Sequence, residues 1–89
     1  MHSEYVVRYN KSVLKFLSKH DDIEIRFFEK LKMMRKNPFD LSLDIKPLQW
    51  EEKWAWRLRI WKYRFKYVVI DMEIVIYFFE ADNRWDIYK

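Results

Sequence analysis

Trp56-Arg57-Leu58-Arg59-Ile60-Trp61-Lys62-Tyr63-Arg64-Phe65-Lys66-Tyr67 is the stretch on which the fold turns. Its side chains alternate with period two, the signature of half-buried strands. A tip at Trp61-Lys62 sets Ile60 opposite Tyr63, Leu58 opposite Phe65 and Trp56 opposite Tyr67, which makes one apolar face. The other face then carries Arg59 opposite Arg64 and Arg57 opposite Lys66. Like charges directly across a sheet repel, so the column points to a bound anion. The bland reading is the polar outer face of an antiparallel sheet, with Arg and Lys stems lying over it.

Working outward, Trp54 continues the alternation upstream and Val69 continues it downstream. Residues 74–79 are apolar almost throughout, as suits an interior strand. Towards the N-terminus the period changes to that of helices. Asn10 is a candidate N-cap for a helix over 11–19, with Val13, Leu14 and Leu17 on one face. Asp21 and Glu24 form a capping-box pair at the head of a second helix. Ile23, Phe27, Leu31 and Met34 are its apolar stripe, Arg35 and Lys36 sit in its last turn, and Pro38 stops it at or before Asn37. Residues 4–9 read as a first strand, and 39–50 as an irregular connector containing Pro47. The order is βααβββ with a polar tail over 82–89: an α+β domain spanning 1–89, a two-helix hairpin packed on a curved antiparallel sheet.

Composition bounds the rest. The 89 residues suffice for one core, and the apolar and aromatic shares of 51% and 20% speak against disorder. Lys plus Arg exceed Asp plus Glu by 18 − 14 = 4. The placement says more: Lys53, Arg57, Arg59, Lys62, Arg64 and Lys66 follow one another with no acid between them, a pattern suited to nucleic acid or an acidic protein. No cysteine is present, which removes disulfides and thiolate metal sites. The N-terminus lacks the layout of a signal peptide, and the apolar runs are strand-sized, so the expectation is cytoplasmic with no membrane partner. The chain contains no glycine, so every tight turn is built from other residues.

The order of elements, Asn37-Pro38-Phe39 after the second helix, Lys46-Pro47-Leu48 in the connector, the hairpin of 56–67 and Ala81-Asp82-Asn83-Arg84-Trp85-Asp86-Ile87-Tyr88-Lys89 at the end together resemble the RelE/ParE toxin superfamily. Members carry a Y-R-x-R-I-G-x-Y-R-x-x-Y hairpin and an arginine shortly before a terminal tyrosine. The likeness implies the toxin of a type II toxin–antitoxin pair. In RelE-like members the toxin is an mRNA interferase, an endoribonuclease that enters the ribosome and cuts mRNA by attack of a ribose 2′-hydroxyl. By position, Arg57, Arg59, Arg64 and Arg84 match the family's site arginines and Tyr88 its terminal tyrosine. Lys46 stands where some members have a glutamate base. The arginines would hold and neutralise the scissile phosphate. Tyr88 would stack on a base or simply close the core. Lys46 acts as a base only if burial or neighbouring cations lower its pKa; otherwise it is a solvated loop lysine. The resemblance implies a cognate antitoxin as partner, with assembly into a heterotetramer, and the ribosome and mRNA as targets; no cofactor or metal is expected. The alternative is a ParE-like, non-enzymatic inhibitor of DNA gyrase.

Two departures from the family pattern matter. Asn83 replaces a histidine that many relatives carry, and asparagine cannot serve as a general acid near neutral pH. Trp50, Trp61 and Trp85 stand where relatives have glycine, as expected of an engineered or unusually decoded chain; at the hairpin tip this demands a wider loop or backbone strain. Trp54, Trp56 and Trp61 either anchor a partner or pack on the helices. Glu80, Asp82 and Asp86 read as solvated turn acids, and His2 and His20 as surface residues.

Overall fold

The hairpin forms in the register that its alternation dictates. Trp56 pairs with Tyr67, Arg57 with Lys66, Leu58 with Phe65, Arg59 with Arg64 and Ile60 with Tyr63. The computed structural model describes residues 4–48 and 54–83. Their elements are β1 (Val6–Tyr9), α1 (Lys11–Ser18), α2 (Asp21–Met34), β2 (Ile45–Pro47), β3 (Trp56–Ile60), β4 (Tyr63–Ile70), a 3₁₀ turn (Asp71–Glu73) and β5 (Val75–Asn83). Among the described residues the sheet has five strands in the order β1-β5-β4-β3-β2.

The α+β architecture is the expected one, with two differences in the sheet. The connector is not wholly irregular. Three of its residues form β2, which pairs antiparallel with β3; Pro47 fits there because β2 is an edge and its missing N–H costs no ladder bond. The sheet is also mixed, because β1 runs parallel to β5. The chain leaves β1 through two helices and comes back to the far side of the sheet, so β1 pairs with the last strand and not with its successor.

The helices keep their stripes. Asn10 caps α1 by accepting from the Ser12 N–H at 2.9 Å. Val13 and Leu17 are buried, but Leu14 is turned half out to solvent. In α2, Ile23, Phe27, Leu31 and Met34 are all buried. The cap of α2 is His20, which makes no side-chain cap bond; Asp21, Asp22 and Glu24 lie in the first turn, where negative charge meets the helix dipole. The helix ends at Met34, so Arg35 and Lys36 fall beyond it. His20 is not a free surface residue. Its ring stacks on Phe16 at 4.3 Å and meets Tyr63 edge-on at 5.0 Å. His2 lies outside the described residues.

One face of the sheet receives both helices, and the core forms between them. Phe27 touches Phe65 at 4.7 Å and Phe78 at 5.0 Å between ring centres. Tyr67 is fully buried, yet its hydroxyl donates to the Pro38 carbonyl at 2.9 Å. That bond satisfies both polar groups, and burial raises the phenol's pKa.

Strand β5 extends four residues past the expected end at Phe79 and contains a bulge. Lys66 pairs with Glu80, whereas Tyr67 pairs with Phe78, so Phe79 has no partner in the ladder. Strict alternation from Ile76 and Phe78 would aim Glu80 and Asp82 into the core. The extra residue shifts the alternation by one. Ala81 then faces the core, and Glu80 and Asp82 face the other way.

Among the described residues, two turns without glycine carry positive φ: Trp61 at 59° in the hairpin tip and Ile74 at 55° after the 3₁₀ turn. The hairpin thus keeps a tight tip and accepts backbone strain. This region costs a residue with a Cβ about 1–2 kcal/mol, and a β-branched side chain suits it least. Ile74→Gly and Trp61→Gly are therefore expected each to stabilise the fold by about 1 kcal/mol. Thermal melts should show midpoints raised by roughly 4–8 °C, and unchanged or lowered midpoints would refute the strain.

Candidate functional site

Register and bulge together gather the cations on the face away from the helices. Arg57 and Arg59 come from β3, and Arg64 and Lys66 from β4. Lys46 pairs with Arg57 from edge strand β2 and joins the same face, where it is exposed. Arg84 and Tyr88 lie outside the described residues, as do Trp50, Trp85 and Asp86.

The face is not a bare positive column, because among the described residues three carboxylates interleave with the cations. Asp44, just before β2, accepts from Arg57 Nη1 at 2.9 Å and from Arg59 Nε at 2.7 Å. Its main-chain carbonyl takes a further bond from Arg57 Nη1 at 2.9 Å. Asp82 receives Arg64 through Nε at 3.0 Å and Nη2 at 3.1 Å, the paired geometry that guanidinium favours. Lys66 Nζ lies 3.2 Å from Glu80 and 3.7 Å from Asp82. Glu80 and Asp82 are thus strand residues holding buried cations, not solvated turn acids. The repulsion expected across the hairpin is offset within the fold, and no external anion is needed to explain the column.

The site has two zones. Arg64 and Lys66 side chains are only 10% and 5% exposed, so losing a partner there would strand a charge away from water. Arg59 is 55% exposed and Asp44 44%. Arg57 is as buried as Arg64 but bonds outward to Asp44. Asp44 and Arg59 also border an open cleft of about 560 Å³ between α2 and the hairpin, lined in addition by Asp22, Arg26, Glu29 and Trp61. Partial burial pushes the pKa of Asp44 up. The hydrogen bonds and charges of Arg57 and Arg59 outweigh that and hold the carboxyl below its ordinary range.

Of the tryptophans, Trp54 and Trp61 are exposed, at 86% and 69%. Trp56 is half-buried and packs on Phe39 at 4.9 Å. The residues that sequence reading missed are Asp44, Glu80 and Asp82. Glu80 and Asp82 do alternate at strand spacing, a signal that β5 runs on, but only the bulge decides their face. Asp44 carries no local signal; it reaches the site because β2 pairs with β3.

No protein-family model matches the chain, and no curated protein sequence matches it. Solved structures do. A chain of the archaeal RelE–RelB complex from Pyrococcus horikoshii superposes with a TM-score of 0.79 at 25% identity, covering 92% of this chain and 97% of the other. A chain of the RelB–RelE antitoxin–toxin complex from Methanococcus jannaschii gives 0.69 at 25% identity, with 91% and 94% covered. A chain of the toxin–antitoxin complex RelBE2 from Mycobacterium tuberculosis gives 0.72 at 20% identity, with 94% and 95% covered.

Asp82→Asn removes the charge that Arg64 and Lys66 share, and is expected to cost about 3 kcal/mol in urea unfolding; a loss below about 0.5 kcal/mol, typical of a surface site, would contradict the buried pairing. Asp44 titrates lower in the folded than in the unfolded chain. Its contribution to stability is complete above the unfolded value of roughly 4 and drains away as pH falls through the folded value. Urea midpoints followed from about pH 5 to about pH 2 should fall more steeply for the wild type than for Asp44→Asn. Parallel curves would rule out the coupling.

Proposed function

This chain belongs to the RelE toxin superfamily, and we propose that it is the toxin of a type II toxin–antitoxin pair that cuts mRNA on the ribosome. The observation that carries the reading is the gathering of Arg57, Arg59, Arg64 and Lys66 on one sheet face within a RelE fold. In the cleavage, the ribose 2′-oxygen bonds to phosphorus as the bond to the 5′-oxygen breaks. The 2′-hydroxyl gives up a proton, the leaving oxygen takes one, and negative charge grows on the other phosphate oxygens. Guanidinium forks fixed beforehand stabilise that charge without reorganising.

The residues divide the work by exposure. Arg59 offers its terminal nitrogens at the cleft and takes a phosphate oxygen. Arg57 supports it from β3. Arg64 and Lys66, held by Asp82 and Glu80, set the field beneath. Lys46 forms no ion pair among the described residues and stands beside Arg57, where it assists proton transfer or backbone binding. Arg84 and Tyr88 complete the set by resemblance, with Tyr88 stacking on a base. Asn83 cannot supply the proton that a histidine would, which predicts slow turnover. The solved neighbours come from toxin–antitoxin complexes, and a cognate antitoxin is the partner proposed here, in a heterotetramer in the cytoplasm. An acidic or amphipathic antitoxin segment suits this basic chain.

A second reading has a specific observation behind it. The cations are largely neutralised inside the fold and Asn83 cannot serve as a general acid, which favours a ParE-like inhibitor of DNA gyrase that works by binding alone. Ribosome-dependent cleavage of mRNA and gyrase supercoiling, assayed with the same preparation, separate the two. Under the first reading Arg59→Ala lowers cleavage about 100-fold at a cost of no more than about 1 kcal/mol in stability, whereas Arg64→Ala loses activity and stability together. Full cleavage by Arg59→Ala would reject the arginine mechanism. Gyrase inhibition without mRNA cleavage would establish the second reading.

A further inference from the structure

Arg57 and Arg59, the β3 members of the cation face, share one partner, and that partner occupies what a phosphate would need. Asp44 takes Arg57 Nη1 and Arg59 Nε with its two carboxylate oxygens. Spread over two guanidinium groups, it presents the charge and paired oxygens of a phosphate. Asp82 and Glu80 lie on an interior strand beside buried cations. Asp44 instead sits in the turn before edge strand β2, 44% exposed, so its carboxylate can swing away while the sheet stays intact. We propose that Asp44 is a specificity-determining residue, an internal stand-in for phosphate that a single-stranded RNA must displace to reach Arg57 and Arg59. This rests on the mRNA-binding reading. Its physical content is competition: an isolated phosphate gains little by replacing a carboxylate already in place, whereas a strand with several phosphates gains enough.

Binding of a fluorescein-labelled single-stranded RNA oligonucleotide, followed by anisotropy across a salt series, tests this. Asp44→Asn keeps the shape and removes the charge. It should tighten binding about tenfold and steepen the salt dependence by about 0.7 in log–log slope, one phosphate's worth. Asp71→Asn changes net charge equally on the exposed turn before β5 and should leave the slope unchanged. Asp44→Ser, which also removes the charge and keeps a polar side chain in the turn, should move binding in the same direction if Asp44→Asn folds poorly. Equal effects of Asp44→Asn and Asp71→Asn, or no tightening at position 44, would overturn the proposal. The mRNA-cutting reading stands or falls separately, on whether wild-type protein cleaves mRNA on ribosomes.

A different observation carries a second inference. A chain of 89 residues contains no glycine and five tryptophans, where average usage would give about six glycines. Trp61 adopts φ 59° at a two-residue hairpin tip, and Trp54 is 86% exposed in a turn. Neither buries its ring; Trp61 meets Tyr63 edge-on at 5.9 Å and carries Lys62 Nζ at 4.9 Å from its ring, but both forgo the burial that tryptophan offers, and position 61 has the backbone that glycine takes without strain. Trp56, packed on Phe39, is an ordinary tryptophan by contrast. We infer that positions 54 and 61 are glycine in the protein as its own cell makes it, through a codon that this cell reads as glycine. Peptide mass spectrometry of protein isolated from that cell decides the matter: glycine masses at 54 and 61 are expected with tryptophan at 56, and tryptophan at 54 and 61 would overturn the inference.

Discussion

The pairing of β3, β4 and β5 is the constraint on which the rest depends, and within it the extra residue at Phe79 does the most. A β-ladder has only two faces, and a shift of one residue exchanges them. Below the bulge, Ile76 and Phe78 line the core with Tyr67. Above it, Glu80 and Asp82 lie against Lys66 and Arg64. Without the bulge, two carboxylates would enter an apolar layer while two cations lost their partners. Either change alone costs several kcal/mol.

That arrangement alters the meaning of a basic sheet face. An unpartnered column of arginines would be an anion site by default. An interleaved one is first of all a structural network, and its capacity to bind depends on which pairs open cheaply. Burial divides the pairs into those that hold the sheet and those that face solvent. The Arg64 and Lys66 pairs belong to the first group. The Asp44–Arg59 pair, at the rim of a cleft, belongs to the second, and the Asp44–Arg57 pair spans the two because Arg57 is itself buried. Exposed pairs contribute little to stability, typically within about 1 kcal/mol, which leaves Arg59 available to an incoming phosphate.

The missing glycines have a local consequence. The hairpin does not widen to accommodate Trp61; it keeps its two-residue tip and bears the positive φ. The cross-strand pairs below the tip, from Ile60–Tyr63 down to Trp56–Tyr67, outweigh the strain of one turn residue. The same balance holds at Ile74, where eight paired positions of β4 and β5 meet beyond the turn.

Much of the fold was legible because it rests on periodicity. Spacing of three and four marked the stripe of α2, and spacing of two marked the hairpin, its register and the cation face. These are local signals, since a buried face writes its period into the chain whatever it packs against. Asp44 as the partner of Arg57 and Arg59, the facing of Glu80 and Asp82, the parallel pairing of β1 with β5 and the partial burial of His20 were decided only by tertiary structure. Each depends on segments far apart in sequence meeting at one place. A bulge in an all-apolar run such as 74–79 leaves no mark, because every register there buries an equally apolar side chain.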